Sequence, residues 1–208
     1  MAFETWLAFV AAATALLLIP GPTVLLVITY ALSEGRRSAL YTVVGVTLGD
    51  FVAMTLSLAG LGALLATSAM AFTALKWIGA AYLIYLGIRL WRAPATLDGD
   101  IEQTTGAPAR VMAWHAFVVT ALNPKSIVFF VAFLPQFMTT AAPLLPQMAI
   151  LEATFLALAA ANALAYALVA SGARKTIRRP SVLRWMHRTG GTALIAAGVL
   201  TLAWRRSS

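Results

Sequence analysis

Asp50, Lys125 and Glu152 lie deep inside long apolar runs, where a charge needs a reason. At the centre of a bilayer an ionised side chain costs ~2.5–3.5 kcal/mol on insertion scales, so such residues face a bundle interior or a cavity. Asp50 closes the stretch Gly45-Val46-Thr47-Leu48-Gly49-Asp50. It can bind an ammonium group, carry a proton, or do both. The plainer alternative is a structural ion pair with Lys125. Glu152 and Asn162 share one later run and read as an outer gate or a proton site; an interhelical hydrogen bond explains either equally well.

Two backbone sites accompany these side chains. Ile19-Pro20-Gly21-Pro22-Thr23 interrupts the apolar run Phe3–Leu32, whose only charge is Glu4. Each proline lacks an N–H and clashes with the carbonyl four residues back, at Leu16 and Leu18. Gly21 is expected to supply freedom to turn. Two half-helices, Phe3–Ile19 and Pro22–Leu32, should meet at this break. Asn123-Pro124-Lys125-Ser126 reads as a second helix start, with Asn123 as N-cap and Pro124 at the first helical position. Helix N-termini carry about half a positive charge and bind anions. Pro20, Gly21, Pro22, Thr23, Asn123, Pro124 and Lys125 therefore form a candidate carboxylate site, with Asp50 facing the ammonium. Asp50 and Glu152 are the proton-coupling candidates. Simple proline kinks are the competing explanation for both breaks.

Other chemistries lack their residues. The chain has no H-E-x-x-H, G-x-S-x-G or P-loop motif. No His/carboxylate cluster has metal-ligand spacing, and cysteine is absent. No metal and no cofactor is expected.

The elements that must position these groups are membrane spans. The chain has 208 residues, 61% hydrophobic and only 11% charged, with a mean hydropathy of +0.86. Soluble domains carry about 25% charged residues. The spans are Phe3–Leu32, Ala39–Leu65, Met70–Leu90, Ala113–Met138, Leu145–Ala170 and Gly191–Trp204, the last with a start upstream near Val182 or Trp185. An unbroken helix over the first would be ~45 Å long against a ~30 Å hydrocarbon core. It has no preceding Lys or Arg, so it reads as a span and not as a signal peptide. Thr67-Ser68 and Ala142-Pro143 mark turns. Lys76 snorkels, Trp114 and His115 sit at an interface, and His187 is expected in solvent.

The net charge of +8 is distributed between the spans, a pattern of membrane loops and not of nucleic-acid binding. Loops one, three and five hold eleven Lys and Arg residues, against Arg205 and Arg206 on the other side. The positive-inside rule then makes loops 33–38, 91–112 and 173–188 cytoplasmic, with both termini outside. A five-span reading would remove the conflict posed by the tail arginines. Loop three divides one transmembrane domain, 1–208, into repeat one (1–92), a linker (93–111) and repeat two (112–208). Three spans per half run in opposite directions. Pro22 and Pro124 are offset by 102 residues, and the same offset carries Asp50 onto Glu152. The expected fold is an all-α integral membrane protein. Its six transmembrane helices form two inverted three-helix repeats, with helices 1 and 4 broken at prolines, an arrangement used by secondary transporters.

Four segments resemble the LysE/RhtB family of bacterial amino-acid exporters. They are Pro20-Gly21-Pro22; Gly45 to Asp50; Lys76-Trp77-Ile78-Gly79 through Arg89; and Asn123-Pro124-Lys125 followed by Phe133-Leu134-Pro135-Gln136-Phe137. They follow the family's order over nearly the whole chain. The resemblance implies export of amino acids from the cytoplasm across the bacterial inner membrane, driven by the proton motive force. Length and the Phe133–Phe137 segment look more like the branch that exports neutral substrates such as homoserine, threonine and leucine. The expected partners are an amino-acid substrate, protons and the lipid bilayer, without nucleic acid; a homo-oligomer is left open. A membrane-embedded enzyme or a small-solute channel is the alternative.

Overall fold

The computed structural model of the chain describes residues 1–65, 69–94, 104–139, 141–177 and 179–203. The Thr67-Ser68 turn, the linker acids Asp98, Asp100 and Glu102, and the tail arginines Arg205 and Arg206 lie outside these residues.

The described residues are helical, without strands: α1 Phe3–Leu18, α2 Pro22–Glu34, α3 Arg37–Leu65, α4 Ala69–Trp91, α5 Ala109–Ala121, α6 Pro124–Ala132, α7 Leu144–Gly172, α8 Arg174–Ile177 and α9 Pro180–Ala203. A 3-10 turn covers Leu134–Phe137. Prolines account for the breaks. The α1–α2 pair bends by 54° at Pro20–Pro22, and the α5–α6 pair by 43° at Pro124. Arg37–Gly60 of α3 and all of α7 are long and apolar enough to cross a membrane, as are the two bent pairs if each is one span. Among the described residues α4 and α9 do not reach that threshold; the apolar part of α4 is Ala80–Trp91.

Gly21 does not make the turn by unusual backbone. Its φ of −130° and ψ of −171° are extended values open to any residue. Space does not demand a glycine either, since a Cβ there would sit 3.4 Å from Lys125 Cε and Nζ, an ordinary contact.

Glycines also set the closest helix contacts. A Cβ on Gly45 would run into the Ala113 carbonyl and come within 2.8 Å of Ala116 Cβ. One on Gly49 would lie 2.7 Å from the Phe117 carbonyl oxygen and 2.8 Å from Thr120 Cβ. The Gly45/Gly49 pair thus lets α3 and α5 meet backbone to backbone. Gly87 and Gly191 do the same for α4 and α9, each against the other's carbonyl.

The buried apolar side chains form two main clusters. One gathers Val24, Val27, Val46, Ala163 and Ala167 from α2, α3 and α7. The other gathers Phe9, Leu16, Ala53, Phe129, Phe130, Phe155 and Ala159 from α1, α3, α6 and α7. The polar residues fall between them. Along α3 the order is Val46, Asp50, Ala53; along α7 it is Ala159, Asn162, Ala163.

Candidate functional site

The site begins where α1 stops. A helix end leaves its last four carbonyls without intrahelical partners. Here those belong to the last turn and the residue after it; the Ile19 N–H turns back to Leu16 O at 3.2 Å, and side chains from α6 and α7 reach all four. Lys125 Nζ donates to the Leu16 carbonyl at 3.1 Å and to the Ile19 carbonyl at 2.7 Å. Asn162 Nδ2 donates to Leu17 O at 3.1 Å, and the Tyr166 hydroxyl to Leu18 O at 2.9 Å. The cation suits the negative end of the α1 dipole.

The starts of α2 and α6 come next. Gly21 precedes Pro22, so the N–H groups of Thr23 and Val24 open α2 without intrahelical acceptors. Asn123 caps α6 as its residue type predicts, its Oδ1 accepting from the Lys125 amide at 3.1 Å. Its Nδ2 donates to Thr23 Oγ1 at 3.0 Å. Thr120, held by the Gly49 contact, donates its hydroxyl to the same oxygen at 3.2 Å. Thr23 therefore ties the two broken helices together at their break points.

Asp50 lies beside this junction, 2% exposed, and its Oδ1 has no hydrogen-bond partner. Among the described residues it makes no ion pair with Lys125, whose ammonium is turned to the α1 carbonyls. The alternative of a structural Asp50–Lys125 ion pair is therefore not what the structure shows. The two charges instead share a cavity with Thr23, Asn123, Ser126 and Asn162, with Tyr166 at its side. Its free volume is about 20 Å³, room for about one water. A substrate can be held here only after the surrounding helices part.

Of the expected site residues, Thr23, Asp50, Asn123 and Lys125 line the cavity. Pro20, Gly21, Pro22 and Pro124 form the breaks around it. Glu152 does not line it and instead accepts a 2.6 Å hydrogen bond from Thr55 Oγ1, between α7 and α3. The constant offset from Asp50 to Glu152 fails because the connections differ in length. Residues 35 and 36 join α2 to α3, whereas residues 133–143 join α6 to α7. With α6 also shorter than α2, positions along α7 no longer match those along α3, and Asn162 lines the cavity where Glu152 does not. Tyr166, one turn beyond Asn162 on the same face, has no counterpart in the sequence reading. His187, expected in solvent, is 3% exposed, and His115 meets the Tyr30 hydroxyl through Nδ1 at 3.1 Å.

Apolar helices broken around a buried polar cavity define a membrane protein of the translocator class. The chain matches the LysE type translocator family over residues 14–203 and belongs to that family. It is 34% identical over 207 residues, all of both chains, to a homoserine/homoserine lactone efflux protein of Salmonella typhimurium. It is 35% identical over 200 residues to an uncharacterised membrane protein of Vibrio cholerae, covering 96% of this chain and 97% of that one. A leucine efflux protein of Salmonella choleraesuis is 33% identical over 128 residues, 62% of this chain and 60% of its own. No solved structure matches the chain.

Proposed function

We propose that this protein is a secondary transporter that exports neutral amino acids, homoserine-, threonine- or leucine-like, from the bacterial cytoplasm. It spans the inner membrane six times as two inverted repeats within one domain. Alternating access is driven by the proton motive force. The observation that carries this reading is the buried, unpartnered Asp50 carboxylate beside two helix N-termini and Lys125. The α2 amides and the Lys125 ammonium suit the substrate carboxylate, and Asp50 suits its ammonium or the coupling proton. The efflux activities of the relatives support the same substrate class. Glu152 stays a second proton candidate, acting outside the cavity. The lipid bilayer is the environment; self-association is not needed for a cavity built within one chain.

Reconstituted vesicles test this. Labelled homoserine or leucine should enter preloaded vesicles by counterflow and be recovered unaltered, and an imposed proton gradient should drive accumulation. A chemically modified product would establish a membrane-embedded enzyme, and non-saturating currents a channel.

A further inference from the structure

A second cavity reaches Lys125 from another side. Its free volume is about 210 Å³, roughly ten times the 20 Å³ of the central one. It lies between α2, α4 and α9, and Lys125 lines both. Its walls are Leu25, Leu86, Leu90 and Leu194, with Arg89 among them and Gly21 beside Lys125. No carboxylate is among its described lining residues.

We propose that this cavity is a loading site for a carboxylate on an uncharged apolar chain, with Arg89 as its receptor and selectivity residue. The proposal rests on the export reading above and names the side and the chemistry of loading. Arg89 stands in the last turn of α4, at the end that the charge distribution assigns to the cytoplasm. Arg89 is exposed, and its guanidinium lies 6.0 Å from the ring centroid of the exposed Tyr85, at the outer limit of a cation–π contact. A guanidinium takes a carboxylate through two parallel hydrogen bonds. An ammonium has three N–H groups, and Lys125 uses two on the α1 carbonyls. The third is available to the same carboxylate as it moves from Arg89 toward the Thr23 and Val24 amides. Four leucines then receive the apolar chain. A substrate with a cationic side chain would meet two cations, and no acid among the described lining residues, before it reaches the neighbouring Asp50, so it is disfavoured electrostatically at loading.

The test uses the full protein in phosphatidylcholine vesicles, with leucine, leucinamide and lysine as probes. Wild type should carry leucine and carry leucinamide and lysine far more slowly. Arg89→Gln should raise the half-saturating leucine concentration on the loading side roughly tenfold, as expected for loss of a charge-assisted hydrogen bond. Saturating leucine should recover most of the rate, and Arg89→Lys should restore part of the affinity. Leu194→Trp, which fills the cavity, should weaken leucine loading more than loading of a small amino acid such as alanine. Unchanged leucine half-saturation in Arg89→Gln, or lysine carried as well as leucine, overturns the loading site and leaves amino-acid export standing. Weakened loading on adding phosphatidylglycerol, in wild type but not in Arg89→Gln, also overturns it, by assigning Arg89 to a lipid phosphate. Absence of counterflow with every amino acid overturns the export reading itself.

Discussion

The Lys125 ammonium lies 2.7 Å from the Ile19 carbonyl oxygen, joining residues 106 positions apart. The start of one half-helix thereby closes the end of another, and the lysine is part of the scaffold before it meets any substrate. Lys125→Met should unfold at lower temperature in detergent, because the Ile19 carbonyl loses its donor while Leu16 O keeps only the Ile19 N–H. The cost is ~1–3 kcal/mol for each group left unsatisfied. Tyr166→Phe, which strips a single hydrogen bond from Leu18 O, should cost ~1 kcal/mol. Equal melting of both variants with wild type would show that α1 needs neither cap.

Asp50 should behave in the opposite way. Breaking a buried ion pair costs ~3–5 kcal/mol, but Asp50 has no such partner to lose. Asp50→Asn is therefore expected to melt at or above the wild-type temperature while net export collapses. If Asp50 carries the coupling proton, substrate exchange survives in this variant; if it binds the ammonium, exchange fails too. A double variant, Asp50→Leu with Lys125→Leu, that folds and still transports would place the site elsewhere.

The glycines separate close approach from mere presence. Gly45→Leu and Gly49→Leu must drive α3 from α5, at ~1–3 kcal/mol or more by overpacking. Gly49→Leu should also release Thr120 from Thr23 and so loosen the two breaks from each other. Gly21→Ala should fold normally, since its backbone is extended and the new methyl meets Lys125 at ordinary contact distance. Thermal melting and vesicle counterflow of the three variants, side by side, check the contrast.

Orientation can be read with a single thiol, because the chain has no native cysteine. A cysteine at the exposed Arg179 should be protected from membrane-impermeant maleimide in intact cells and labelled after permeabilisation. Strong labelling of intact cells would invert the assigned topology.

The breaks were legible because proline chemistry is local: Pro22 and Pro124 each start a helix where their missing N–H costs nothing. The Gly45/Gly49 pair is a local signal too, two glycines four residues apart on one helix face. The caps on Leu17 and Leu18 were not, because nothing near those residues announces that Asn162 and Tyr166, some 145 positions on, will face them. The place of Glu152 outside the cavity was not legible either, because a fixed offset ignores the different lengths of α6 and of the connection that follows it. His187 was misread because its neighbours in sequence are charged, whereas its burial depends on how α9 packs.

The polar layer around Asp50 is thin. On α3 it separates Val46 of one apolar cluster from Ala53 of the other, seven residues or ~10 Å of helix. Each cluster is an insulator. Whichever one opens to water brings the bulk potential of that compartment up to the layer, so the membrane voltage falls across the other. In the proposed cycle a proton that boards Asp50 from one side and leaves by the other crosses nearly the whole field in one short step, ~2.3 kcal/mol for each 100 mV. The occlusion that closes the cavity thus also makes that step the one that feels the membrane voltage.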